Sequence, residues 1–526
     1  MSAQRTFLVI ALLTLITVGC SREPSAPETS PSASEPANQQ EQAAAEIAWF
    51  TGTIENAFAT AKQREKPLFL FWGAEWCPYC KEMQATIFVR DRFIDLSRRF
   101  IMLDMSNGDS ETIRYADEYR IYGLPTVIVF SPQGRELTRI PGGLDMEQYA
   151  AVLELTLNAL RPVSDLVAAV RAGEPISDAD WQLLGSYSWS QDRGQALGED
   201  NPTKVIAQLA ATCPPRLRLA SSRLQLALAE AWMSEEEPDT TLAASLFNAV
   251  NAILADKELS SANLVTLAYL GGDLVTKLAV DDAQAAQLQA NLLALLTSPV
   301  ENPDLDLLNR AAVLGGWSQV ATARLEEGAA LPDTQIEWAR IKADEAIAQL
   351  SPYQLHAGVN NLWGVYYEIG LEDQARAALT TGIENSRAPF YFMSGMAYVE
   401  REAGNIDEAV NWYRRAWEAT VNPLHRARWG TGYVLRLVQL TPENDAEISR
   451  SATAVLADMT TQKQGLEAYQ SRIERLSEAL LAWSESDPAR GEIISGLRAQ
   501  VVTACAASGS DGSTPSACSS FMKPMS

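Results

Sequence analysis

Two cysteines separated by two residues, Cys77 and Cys80, are the side chains of this sequence best suited to chemistry. A Cys-x-x-Cys pair can ligate zinc, anchor a haem, or cycle between dithiol and disulfide. Haem attachment needs a histidine directly after the second cysteine, and Lys81 stands there. A zinc site needs about four ligands. No second cysteine pair or nearby histidine supplies them, since the only two histidines are His356 and His425. What remains is a dithiol at a strand-to-helix junction, which calls for no metal and no cofactor. Cys77 falls at the helix N-terminus, where unpaired backbone N–H groups and the helix dipole favour a thiolate. Cys80, one turn further, faces the core. Cys77 is therefore expected to be the exposed, attacking sulfur and Cys80 the resolving one.

The elements that must hold this pair alternate. Ile54 to Arg64 reads as a helix, and Pro67 to Trp72 is a continuous apolar run suited to a buried strand. Cys77 to Phe88 carries Cys80, Met83 and Ile87 on one helical face. Phe100 to Met105 is a strand, followed by a helix around Glu111 to Tyr119. Thr126 to Phe130 and Glu136 to Ile140 are strands joined by the turn Pro132-Gln133-Gly134, and Asp145 to Leu160 closes with a helix. This order predicts an α/β sandwich around a mixed sheet over residues 48–160.

The hexapeptide Trp76-Cys77-Pro78-Tyr79-Cys80-Lys81 resembles the thioredoxin active site, and Gly123-Leu124-Pro125-Thr126 resembles the cis-proline loop of that family. The resemblance is greatest to the C-terminal, periplasm-facing domain of the thiol–disulfide interchange proteins, which also carry an acidic residue where Glu75 stands. It implies a thioredoxin-like fold, with Pro125 lying against the disulfide and the backbone of Leu124 pairing with a substrate chain. It implies a protein-disulfide reductase acting on exported proteins, with electrons from a membrane donor of the interchange type. Two positions depart from the pattern. Pro78-Tyr79 is the glutaredoxin dipeptide, and Phe71 stands where relatives carry a buried aspartate, a role for which Glu75 and Glu82 are the nearest substitutes. The sequence carries no membrane-spanning electron-delivering domain, so electrons are expected from a partner.

Beyond Pro162 strand signals nearly vanish. Residues 164–352 read as helices without a clean repeat, 353–459 as repeats, 460–507 as further helices and 508–526 as a polar, frayed tail. In the repeats, Gly370 matches Gly404, Ala375 matches Ala409, and Leu362 pairs with Met396, all at an offset of 34. This resembles the tetratricopeptide repeat. The resemblance implies an all-α solenoid whose first helices line a partner groove with Asn360, Tyr367, Tyr391, Ser394, Tyr398 and Arg401. Trp363, Trp412 and Trp417, at helical spacing, are expected in the solenoid core.

At the N-terminus, Arg5 precedes an apolar run from Phe7 to Val18 that is too short for a membrane span of roughly 20 residues. Thr17-Val18-Gly19-Cys20 resembles a bacterial lipobox, so residues 1–19 are expected to be a signal peptide and Cys20 the lipidated anchor. By the same resemblance, Ser21 directs the protein to the outer membrane of a Gram-negative bacterium, facing the periplasm. Residues 20–47, rich in Pro, Ser and Glu, lack the apolar surface needed to fold and read as a tether. A formal net charge of −24 argues against nucleic acid as a partner. Cys505 and Cys518 could close a structural disulfide worth about 3 kcal/mol, which leaves Cys213 unpaired. Two functions compete: an envelope thiol–disulfide oxidoreductase, and an interaction scaffold whose thioredoxin-like domain is passive.

Overall fold

Five consecutive buried residues, Leu68–Trp72, make the strand around which the α/β part of the chain is built. The computed structural model describes residues 46–106, 112, 115, 116, 118–158, 161–326, 328–460 and 469–508. The expected signal peptide, Cys20, nearly all of the tether, Cys518, and all of the tail after Ser508 lie outside these residues, as does much of the helix expected around Glu111 to Tyr119.

The α/β part runs α1 (Ile54–Arg64), β1 (Leu68–Trp72), α2 (Pro78–Thr86), α3 (Asp91–Ser97), β2 (Ile101–Asp104), β3 (Thr126–Phe130), β4 (Glu136–Ile140) and α4 (Met146–Asn158). The strand order is β2-β1-β3-β4. β1 pairs in parallel with β2 and antiparallel with β3, and β3 pairs antiparallel with β4. Alternate side chains of β1 point to opposite faces. Phe69 and Phe71 pack with Cys77, Cys80, Met83, Phe93 and Tyr149 beneath α2 to α4. Leu68, Leu70 and Trp72 pack with Ile54, Ala57 and Ala61 of α1. With both faces covered, β1 is apolar throughout, as its sequence required.

The rest is helical: α5 (Val163–Arg171), α6 (Asp178–Gly185), α7 (Pro202–Thr212), α8 (Arg218–Met233), α9 (Thr240–Ala255), α10 (Lys257–Ala262), α11 (Leu264–Asp273), α12 (Asp282–Glu301), α13 (Leu307–Thr322) and α14 (Asp333–Gln349). Then follow α15 (Leu355–Glu368), α16 (Glu372–Asn385), α17 (Pro389–Glu402), α18 (Ile406–Glu418), α19 (Pro423–Leu440), α20 (Asp445–Thr460), α21 (Gln470–Glu485) and α22 (Arg490–Ser508). Among the described residues no helix is long and apolar enough to cross a membrane. α15 and α17 start 34 residues apart, as do α16 and α18. Gly370 and Gly404 have φ of 81° and 80° and turn the chain between the helices of each pair, a conformation in which a side chain is strained. Close packing falls instead to Gly382, where a Cβ would meet the Phe392 ring at 2.6 Å, and to the buried Ala375 and Ala409.

Helices and sheet are joined by polar links. Arg139 on β4 is 0% exposed. It donates to the Glu136 carboxylate at 2.7 Å and to the carbonyls of Tyr119, Arg120 and Gln191, and the Ser188 N–H returns a bond to its carbonyl. Arg90 pairs with Asp306 of the α12–α13 loop at 3.1 Å, and Gln148 of α4 donates to the Ala262 carbonyl at 2.7 Å. Arg139→Met would strand a half-buried carboxylate and three carbonyls. Loss of one partner from a buried pair costs about 3–5 kcal/mol. Urea unfolding of Arg139→Met should show a loss of that size.

Candidate functional site

β1 ends at Trp72, and the chain turns through Gly73–Trp76 into α2, with Cys77 as its N-cap. The Cys77 sulfur accepts a hydrogen bond from the Cys80 backbone N–H at 3.1 Å. Pro78 takes the first helical position, where its missing N–H is not needed. Cys77 and Cys80 are joined as a disulfide, with Cα atoms 5.2 Å apart. The Leu124–Pro125 peptide is cis, and Leu124 packs against the core that holds both cysteines. Gln191, in the short turn Trp189–Gln191 before α7, donates to the Pro125 carbonyl at 2.8 Å and so ties the proline loop to the helical part.

One expectation fails. Cys77 is 2% exposed, as buried as Cys80 at 1%. The helical part covers this end of the domain: α15 packs against α2, and several of its side chains gather around the half-buried Trp76 ring. Tyr391 of α17 stacks on it at 6.4 Å between centroids, Trp429 of α19 meets it edge-on at 5.2 Å, and the Arg428 guanidinium lies 4.5 Å over it. His425 adds a further edge contact at 6.2 Å. Below the ring, His356 Nε2 lies 2.9 Å from the Trp76 carbonyl and Nδ1 lies 2.7 Å from Ser386 Oγ. A carbonyl only accepts, so Nε2 carries the proton and Nδ1 accepts from the serine hydroxyl. Ser386 Oγ in turn accepts from the Ala388 N–H at 3.0 Å. The chain grips its own redox motif with residues 280 or more positions away.

The residues expected to line a groove divide. Asn360 and Ser394 support the clasp: Tyr391 donates to the Asn360 side-chain oxygen at 2.8 Å, and Trp429 Nε1 donates to Ser394 Oγ at 2.9 Å. Tyr367, Tyr398 and Arg401 form a neighbouring group, with the two rings 5.3 Å apart and Arg401 5.1 Å over Tyr398. Of the expected core tryptophans, Trp417 is buried, whereas Trp363 and Trp412 are half-buried. Cys213 is free and buried, with burial raising its thiol pKa. Cys505 is buried on α22.

Phe71, at the position of the absent aspartate, is fully buried against Phe88 and Trp49. Glu82 does not replace that aspartate: two residues beyond Cys80, it points to another face of α2. It faces the helical part, where burial and then Asp306 raise its carboxyl to about 7. Burial also holds His356 and His425 down to about 4, helped at His425 by Arg428 and Arg472. Burial lowers the Lys81 ammonium, while Tyr79 is half exposed yet raised by its surroundings.

These shifts have opposite signs. The neutral histidines support the closed arrangement fully above about pH 6.5, and that support declines toward pH 4. Glu82 supports it fully below about pH 4.5, and its support declines toward pH 7, where the carboxylate must ionise in a buried place. Glu82→Gln should therefore raise the urea midpoint above that of the wild type at pH 8, and the gain should disappear by pH 4.5. A gain that persists at pH 4.5 would contradict this account of Glu82.

The sheet order, the α2 cap and the cis-proline loop define a thioredoxin-like domain. Residues 54–157 match the family model described as a thioredoxin-like domain. Over 102 residues the chain is 28% identical to the thiol:disulfide interchange protein DsbD of Pseudoalteromonas atlantica, a match covering 19% of this chain and 17% of that one. It is 30% identical over 100 residues to DsbD of Yersinia pestis, covering 18% of this chain and 17% of that one. The chain thus spans 17% of the length of these curated relatives. A solved structure described as DsbH oxidoreductase aligns with 22% identity and a TM-score of 0.21, over 25% of this chain and 96% of that one.

Proposed function

We propose that this protein is a thiol–disulfide oxidoreductase of the bacterial envelope that reduces disulfides of exported proteins. The observation that carries the reading is the Cys77–Cys80 disulfide at the N-cap of α2, with the Cys77 sulfur bonded to a helix N–H, in a domain that has a cis-Pro125 loop. In the reduced protein, Cys77 thiolate attacks a client disulfide. A Cys77–client bond forms, and the client's second sulfur leaves as thiolate. Cys80 thiolate then attacks Cys77, releasing the reduced client and restoring the internal disulfide. A dithiol on a membrane electron donor of the interchange type reduces it again. The helical repeats, read as tetratricopeptide-like, dock partners, and an acylated Cys20 holds the protein at the outer membrane.

Burial of Cys77 favours the competing reading, a scaffold with a passive domain. Redox equilibration of the full chain against glutathione separates the two. Reversible titration of Cys77–Cys80 with a potential near about −270 mV supports the reductase, and one near about −120 mV reverses the direction. A disulfide that never exchanges supports the scaffold.

A further inference from the structure

We propose that Arg428, Arg472 and Arg475 form a receiving site beside Trp76 for an acidic segment of a client polypeptide, an assignment that builds on the oxidoreductase reading. Arg428 lies on α19 and the other two on α21, which packs against α19. Arg472 and Arg475, three apart, share a helix face. Arg428 and Arg475 are exposed and Arg472 half-buried, so the cluster is open to solvent while the clasp is closed.

Among the described residues no carboxylate lies within ion-pair distance of any of the three. Their neighbours are treated differently: Arg426 holds Asp458 at 2.7 Å, Arg414 holds Glu418 at 2.8 Å, and Arg490 holds Asp445 at 2.9 Å. The chain has 66 acidic and 42 basic residues, so acid is not scarce. Three guanidiniums held together without a counter-charge among the described residues repel one another, and Arg428 and Arg475 add to burial in lowering Arg472 to about 10. An arriving anion removes that repulsion. Planar guanidiniums also match carboxylates in shape.

Position selects the occupant. Arg428 lies 4.5 Å over Trp76, the residue before Cys77, and 5.6 Å over Trp429, so a chain held here lies beside the disulfide. A net charge of −24 repels nucleic acid and anionic membrane as large polyanions. A short acidic stretch meets the local field of the three arginines.

The test uses the full chain and a fluorescein-labelled peptide of aspartate, glutamate and serine, with a counterpart carrying lysine in place of the acids. The acidic peptide should bind, weaken as salt rises, and lose about tenfold in affinity with Arg472→Gln/Arg475→Gln. Arg475→Glu should shift preference toward the lysine peptide, an outcome that misfolding cannot mimic. Equal binding of the two peptides, or acidic-peptide binding insensitive to these substitutions, would overturn the proposal. So would phosphatidylglycerol vesicles that displace the peptide from the wild type and bind it more tightly. Neither peptide contains sulfur, so failure here is separate from failure of thiol exchange at Cys77.

Discussion

Cys80→Ser should trap client proteins as mixed disulfides that dithiothreitol releases, and Cys77→Ser should trap essentially none. The two sulfurs are equally buried but chemically distinct. Cys77 caps α2 and its sulfur already accepts the Cys80 N–H, an arrangement that stabilises negative charge there. Cys80 lies within the first turn, with its side chain in the core. Once a mixed disulfide forms on Cys77, the neighbouring Cys80 resolves it as an intramolecular step. Removing that thiol should lengthen the life of the intermediate by about a thousandfold or more, given the effective molarity of well-placed groups. Pull-down of the full chain followed by non-reducing electrophoresis reads the result. Equal trapping by both variants would reverse the roles of attacker and resolver.

Opening the clasp should have the next largest effect. Tyr391→Ala/Trp429→Ala deletes the stacked and edge-on partners of Trp76. Aromatic pairs of this kind contribute about 0.5–1.5 kcal/mol each beyond their buried area. Losing two should enlarge the open population by roughly five- to 150-fold. In the reduced protein, the rate of Cys77 alkylation by iodoacetamide, followed on its own peptide by mass spectrometry, should rise by the same factor. Buried Cys213 serves as the internal reference, because it lies in a different core and its rate should not change. An unchanged Cys77 rate would mean that the aromatic clasp does not limit access.

Local pattern made much of this molecule readable. Thr126–Phe130 and Glu136–Ile140 occupy the strands read on either side of the Pro132-Gln133-Gly134 turn, and β1 follows from its unbroken apolar run. The dithiol, the proline loop and the repeat period were visible for the same reason, because each is a short-range arrangement of residue types. What escaped was the long-range pairing. His356 and His425, assigned no role from sequence, meet Trp76 across hundreds of residues, and no local periodicity encodes that contact. Arg139, a charge on a hairpin strand, is fully buried because carbonyls from two other segments, Tyr119-Arg120 and Gln191, and the Glu136 carboxylate surround it. The exposure expected of Cys77 followed from treating the domain alone, whereas the helical part supplies the cover.

The central claim, that Cys77 and Cys80 exchange disulfides with a polypeptide, is tested most directly by insulin reduction driven by dithiothreitol. The full-length wild type should accelerate precipitation of the insulin B chain, Tyr391→Ala/Trp429→Ala should accelerate it further, and Cys77→Ser should fall to the uncatalysed rate. If Cys77→Ser reduces insulin as fast as the wild type, or if the clasp-opened protein with freely alkylated Cys77 has no activity, the claim is contradicted.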